Sequence, residues 1–257
     1  MGKVLALSNQ KGGVGKTTTA VNLSYNLSRE GKRCLICDID PQGNATTGIG
    51  IDRDNIEFST YDLLIEGTPA SDVIMNTDYQ NLDIIPSNIE LAGAEVELVE
   101  QKAREKCLRK AFESIRDGYD FIIIDCPPSL GLLTVNALVS ADAIMIPIQT
   151  EYYALEGLSQ LVSTYKLIKG SLNPELEIFG VLLTMYDERT TLSRSVAGEV
   201  KKFFGQELFE NVIPRNVRVS EAPSYGKPIS VYDPSSKGSH SYEGLAREII
   251  SRVNAGR

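Results

Sequence analysis

Tryptophan is absent from the 257 residues, histidine occurs once, and cysteine occurs four times. So few cysteines in a chain this long exclude a disulfide framework. Cys34 and Cys37 form a C-x-x-C, but they lie in the strand-like run Arg33-Cys-Leu-Ile-Cys-Asp-Ile. Residues i and i+3 of a strand point to opposite faces, so this pair cannot share a metal ion. Cys107, on a helical core face, and Cys126, after a strand end, read as small hydrophobes. His240 reads as a surface or capping residue, not a ligand. No apolar run approaches the roughly 18–20 residues that span a bilayer. Met1–Ser8 enters a strand-like run with one lysine and no A-x-A site, so it is not read as a signal peptide and a cytoplasmic location is expected. Disorder is excluded too, because 42% of the chain is hydrophobic and 23% charged.

What is present is an acidic chain with an uneven charge distribution. The net charge is −8, which argues against a surface that is basic all over. From Met185 to Arg257, however, 11 Lys/Arg face 9 Asp/Glu, a net of +2. A polyanionic partner is therefore expected to meet the C-terminal third. At about 150 residues per domain the length allows one to two domains. No linker, repeat or low-complexity tract divides it, so one domain over 1–257 is expected.

Short apolar runs alternate with helical spacing. Strands are expected at Lys3–Ser8, Arg33–Ile39, Asn81–Ile85, Phe121–Ile124, Ala143–Pro147 and Ile178–Thr184. Helices are expected at Thr17–Arg29, Leu155–Lys169, Leu192–Phe204 and across Ala103, Cys107, Leu108, Ala111, Phe112 and Ile115. This alternation predicts an α/β fold, a mostly parallel twisted sheet with helices on both faces. Near the end, Tyr242, Leu245, Ala246, Ile249, Ile250 and Val253 form one apolar stripe. Its polar face carries Glu243, Arg247, Glu248 and Arg252. That mixed face favours a helix packed on the core over a membrane-surface helix.

The densest chemistry is Asn9-Gln-Lys-Gly-Gly-Val-Gly-Lys-Thr-Thr18, between the first strand and the first helix. Gly12, Gly13 and Gly15, with Val14 between them, let backbone N–H groups converge at a helix N-terminus and cradle an anion. Lys16 reaches β- and γ-phosphates, and the Thr17 hydroxyl is placed to ligate Mg²⁺. Gln10 stands where the ordinary P-loop has glycine, and Lys11 is an additional lysine. Asp38 and Asp40 end the second strand, and Asp125 ends Phe-Ile-Ile-Ile-Asp. Strand ends form one rim in an open α/β sheet, so all three acids join Lys16. Asp125 fits a magnesium partner acting through water, and Asp40 could orient or deprotonate a water.

These motifs, with Asp-Ile-Asp-Pro-Gln-Gly-Asn and Asp-Cys-Pro-Pro-Ser, resemble the deviant Walker A ATPases, the P-loop NTPase family that includes ParA/Soj partition ATPases and MinD. Glu151-Tyr-Tyr-Ala-Leu-Glu-Gly-Leu, Leu182-Leu-Thr-Met-Tyr-Asp and Val212-Ile-Pro-Arg-Asn-Val-Arg-Val-Ser-Glu-Ala-Pro-Ser resemble the chromosomal ParA/Soj subgroup. The resemblance implies a homodimer with ATP held between subunits and Lys11 crossing to the partner's phosphates. It gives Lys11, Lys16 and Asp40 catalytic roles, with Asp40 positioning water. It places Asp125 in the magnesium shell, with Asp38 behind it, and Thr18 at the α-phosphate. Adenine is expected against Met185, Pro214 and Asn216. The absence of Asn-Lys-x-Asp favours ATP over GTP.

The resemblance also implies that the ATP dimer binds double-stranded DNA without sequence preference and is nucleoid-associated. Arg189 and Arg218 lead the candidates, with Lys201, Lys202, Lys227 and Arg247. Dimerisation would double the basic surface and so gate DNA binding. No helix-turn-helix precedes the loop, which fits the short chromosomal type. By the same analogy, a ParB/Spo0J-type partner stimulates hydrolysis, and an effect on the replication initiator DnaA follows. The alternative reading is a MinD-like membrane switch, but the basic amphipathic tail it needs is not seen. Cys126 does not match the position of a cluster ligand in the nitrogenase iron protein.

Overall fold

The computed structural model describes residues 2–151 and 154–256, with backbone alone for 154–161. Tyr152 and Tyr153, which belong to the partition-type stretch at 151–158, lie outside the described residues. The order of elements is β1 (Lys3–Leu7), α1 (Lys16–Arg29), β2 (Cys34–Asp38), α2 (Asn44–Gly48), α3 (Ala70–Val73), β3 (Met75–Asn76), β4 (Leu82–Ile85), α4 (Leu91–Glu97) and α5 (Cys107–Phe112). There follow β5 (Phe121–Asp125), α6 (Leu132–Ser140), β6 (Ala143–Gln149), α7 (Ala154–Ser171), β7 (Glu177–Thr184), α8 (Thr191–Phe204), α9 (Val217–Glu221), α10 (Ile229–Tyr232) and α11 (Lys237–Asn254).

The strands form one sheet in the order β3-β4-β2-β5-β1-β6-β7. All neighbours are parallel except β3, which runs antiparallel to β4 at the edge. Every residue of β2 and β5 is buried, as expected for strands covered on both faces. Two apolar clusters flank the sheet. Cys34 belongs to one and Cys37 to the other, which confirms that the C-x-x-C side chains point apart.

The strand expectations hold to within two residues at each end. The two-residue β3 was missed because it is too short to carry a period. The helix expected across 103–115 is corrected to Cys107–Phe112. Ala103 has φ 54°, and the Asn136 side chain reaches in from α6. Its Oδ1 accepts the Leu108 N–H at 3.2 Å and its Nδ2 donates to the Arg104 carbonyl at 2.7 Å. These side-chain bonds replace the helical partners of the first turn.

The C-terminal stripe packs on α1. Tyr242, Leu245, Ala246 and Ile249 are buried in the same cluster as Ala20, Leu23 and Leu27. The Tyr242 hydroxyl lies 3.3 Å from Thr19 Oγ1. Ser236 caps the helix by accepting the Ser239 N–H. No described helix is long and apolar enough to cross a membrane.

Candidate active site

β1 lies between β5 and β6 in the sheet, so its carboxyl end opens at the point where the strand order reverses. The chain leaves β1 there and turns into α1 through the glycine-rich loop. Gly13 and Gly15 have φ 72° and 87°, conformations that side chains with a Cβ resist. Asn9 sets the entrance: its Oδ1 accepts the Lys11 N–H at 3.0 Å, and its Nδ2 donates to the Pro147 carbonyl at 2.8 Å. Val14 is buried, and its carbonyl accepts Thr184 Oγ1 at 2.8 Å. That bond fastens the loop to the end of β7. Thr18 sits in the first turn of α1, where its carbonyl accepts Asn22 Nδ2.

Lys16 is 6% exposed, and its ammonium donates to the Lys11 carbonyl at 3.4 Å. Burial pulls its pKa below the ordinary lysine value, while the nearby Asp125 opposes the shift. A Cβ at Gly12 would lie 4.0 Å from the Pro128 side chain, an ordinary contact. Lys11 points away from this centre, with its ammonium 3.7 Å from Glu151.

Sheet register brings the acids together. Asp38 of β2 is directly opposite Asp125 of β5. Both are fully buried. Burial pushes Asp38 up to about 6, against hydrogen bonds from Thr46 and the Asp40 N–H. Burial, then the neighbouring Asp38 charge, drives Asp125 well above the usual carboxylate range. Thr17 lies close enough to favour the charged form of Asp125. Even so, neither Asp125 oxygen has a hydrogen-bond partner among the described residues. A buried, unpartnered carboxylate facing a threonine hydroxyl and an ammonium is a donor set lacking a cation and an anion. Magnesium fits it, because that ion takes one or two carboxylates, waters and substrate phosphates, not a closed protein cage.

A polar network missing from the sequence reading fixes the second strand's loop. Thr46 N and Oγ1 both donate to Asp38 Oδ2 at 2.8 Å. Thr46 Oγ1 accepts the Ser87 N–H at 2.9 Å, and Ser87 Oγ donates to the Asp40 carbonyl at 2.7 Å. The Asp40 carboxylate, 8% exposed, accepts the Gln42 N–H at 2.9 Å. Asp40 is thereby aimed at the rim from two sides. Thr46 and Ser87 carry no motif signal, since a lone hydroxyl residue shows its partner only in the fold.

The expected adenine residues come together through paired loops. Met185 has φ 50° and directly follows Thr184. Tyr186 pairs with Pro214. Asn216 caps α9 by accepting the Arg218 N–H at 2.8 Å.

The expected DNA-binding bases do not form one patch. Arg189 donates two hydrogen bonds to the Asp187 carboxylate, at 2.9 and 2.8 Å. Arg218, on α9, pairs with Glu221 at 2.9 Å. Lys227 is exposed. Lys201 and Lys202 end α8, where Lys202 pairs with Glu199 at 2.6 Å. Arg247 pairs with Glu30 just beyond the far end of α1. His240 is at the surface, 3.6 Å from Glu243.

A parallel sheet with a glycine-rich loop, a buried lysine and a strand-end carboxylate defines a P-loop nucleotide-hydrolysing protein. A family model described as an AAA domain matches residues 2–178. The chain is 57% identical over 251 residues to the sporulation initiation inhibitor protein Soj of Bacillus subtilis, covering 98% of this chain and 99% of that one. It is 52% identical over 252 residues to the chromosome partitioning protein ParA of Caulobacter vibrioides, covering 97% and 94%. Among solved structures, cobyrinic acid a,c-diamide synthase from Mycobacterium smegmatis with bound ADP and magnesium is 36% identical with TM-score 0.88, covering 100% and 97%. The chain belongs to the ParA/Soj family of chromosome-partitioning ATPases.

Proposed function

We propose that this chain is an ATP-driven switch for chromosome segregation that binds nonspecific DNA in its ATP-bound dimer. The observation that carries the ATPase half is Asp125, buried and unpartnered opposite Thr17 and Lys16. Thr17 and Asp125 would hold magnesium there, and the ion would supply positive charge that offsets the charge developing on the transferred phosphate. Around it, the N–H groups of residues 12–18 orient the phosphates, and Lys16 faces the β- and γ-phosphates. Asp40, held by Ser87 and the Gln42 N–H, positions the attacking water. The Lys11 ammonium pairs with Glu151 at the surface, and in the dimer it would exchange that partner for the phosphates of the second subunit's nucleotide.

The DNA half rests on the basic C-terminal third and on the ParA and Soj relatives. Among the DNA-binding candidates of a single copy, Arg189, Lys202, Arg218 and Arg247 are each ion-paired. Two copies joined through nucleotide double the contacts, and affinity rises steeply with their number. A ParB-type protein with a basic N-terminal peptide is the proposed stimulator, suited to the acidic body of the chain. A MinD-like membrane role is disfavoured by the burial of the apolar stripe of α11 against α1.

The test is binding to long nonspecific duplex DNA with ATP, ADP or no nucleotide over a salt series. Binding confined to ATP, weakening with salt, and lost in Lys16→Ala is the expected result. Equal binding in all three states would sink the switch, and binding to anionic liposomes instead of DNA would favour the membrane reading.

A further inference from the structure

On the flank of the sheet, away from the nucleotide rim, the turn at Asp62–Glu66 and α5 enclose a groove of about 970 Å³. None of the loop residues 9–18, nor Asp38, Asp40 or Asp125, lines it. Its floor is apolar. Leu63 and Leu64 belong to the buried core, with Ile65 and Ala111 half-buried against it. Its rim is basic: Lys102, Lys106, Arg109 and Lys110 are all exposed. None of the four makes an ion pair among the described residues, unlike Arg189, Lys202, Arg218 and Arg247. Glu66 and Glu113 also line the groove, leaving the bases in excess. From Gln101 to Arg116 six Lys/Arg face two Asp/Glu, in a chain whose net charge is −8.

The groove is preformed. Asp62–Glu66 is a π-helical turn, a geometry that is rare and recurs at functional sites. Gln101 ties the walls together, donating to the Ile65 carbonyl at 3.4 Å and accepting from the Cys107 thiol at 3.4 Å.

We propose that this groove docks an acidic amphipathic helical segment of a partner protein, at a site separate from the glycine-rich loop and its acids. An apolar trough with a cationic rim matches a helix that presents leucine-like anchors flanked by carboxylates. DNA fits less well, because its phosphates would meet the rim and leave the apolar floor bare.

A peptide display library is selected on the full-length protein and counter-selected on the Lys106→Glu/Arg109→Glu variant. Both positions are exposed and outside the ATPase machinery, so the variant should keep its unfolding temperature and basal ATP hydrolysis. The expected winners carry Asp/Glu with Leu, Ile or Phe at helical spacing. The best, labelled with fluorescein, should bind the variant about tenfold or more weakly. It should also slow alkylation of Cys107 by iodoacetamide, which is readable by mass because Cys34, Cys37 and Cys126 are buried. Enrichment of neutral or basic peptides, no enrichment, or affinity indifferent to the charge reversal would overturn the proposal. So would a variant that loses duplex DNA binding while still binding the peptide, which would assign the cluster to DNA. These outcomes leave the ATP-gated switch itself untouched.

Discussion

Asp40 and Thr46 divide the labour at one strand end. Asp40 faces the rim, and Thr46 holds the loop that aims it through Asp38 and Ser87. Asp40→Ala should lower ATP turnover by about 10²–10⁴-fold. ATP affinity, read by fluorescent nucleotide titration, should barely move, so the ATP-bound dimer should persist on DNA. Thr46→Val strands the Ser87 N–H and takes one of two hydrogen bonds from Asp38 Oδ2, which keeps the residue-46 N–H. Urea unfolding should show a loss of about 1–3 kcal/mol, the cost of leaving buried polar groups unpaired. The aspartates were legible in the sequence because each ends an apolar run beside a turn. Thr46 and Ser87 were not, because 41 residues separate them and only sheet order brings them into contact. Titration adds a second expectation at this scale. Asp38, pushed up to about 6, and Asp125, also raised by burial, must lose protons before a cation binds. Magnesium with ADP should therefore raise the melting temperature most at pH 8. The gain should shrink as pH falls through about 6, as differential scanning fluorimetry would show.

Among the elements, α11 decides between two biological readings. Its apolar stripe reads equally well as a core face or a membrane face, and the mixed charges on its other side were the only sequence guide. In the fold, Leu245 and Ile249 are completely buried against α1. Leu245→Ala should cost about 2–5 kcal/mol in urea unfolding, with no change in liposome sedimentation. A membrane helix would give the reverse pattern. The α5 region shows the opposite failure of the sequence. Helical spacing continued through 103–115, but Asn136, on another element, captures the backbone on one side of the helix. Periodicity cannot report a competitor for hydrogen bonds that arrives from elsewhere in the chain. Strand positions fared better because β2 and β5 are buried on both faces, and continuous apolar runs advertise that environment directly.

Charge sets the behaviour of the whole molecule. The C-terminal third was legible as the basic part, yet its bases scatter over both ends of the sheet and several are neutralised by adjacent carboxylates. Sequence counting cannot distinguish a free arginine from one already paired. Asp187→Asn removes the partner of Arg189. Exposed pairs are worth about 0.2–1 kcal/mol. DNA affinity in ATP should consequently rise by no more than about fivefold, measured by fluorescence anisotropy at fixed salt. Arg218→Ala should lower it and flatten the salt dependence.

The facing pair Asp38 and Asp125 reaches beyond catalysis, to how long a copy of the protein lasts. Without nucleotide and metal, two acids sit side by side across a single strand gap, one of them with no hydrogen-bond partner among the described residues. Molecules in that condition should open locally more often, and opening is what exposes a chain to cleavage. Limited digestion with and without magnesium and ADP would read the difference as a half-life. Idle copies would then be cleared sooner than engaged ones, and the amount of protein would follow the nucleotide supply without a separate degradation signal.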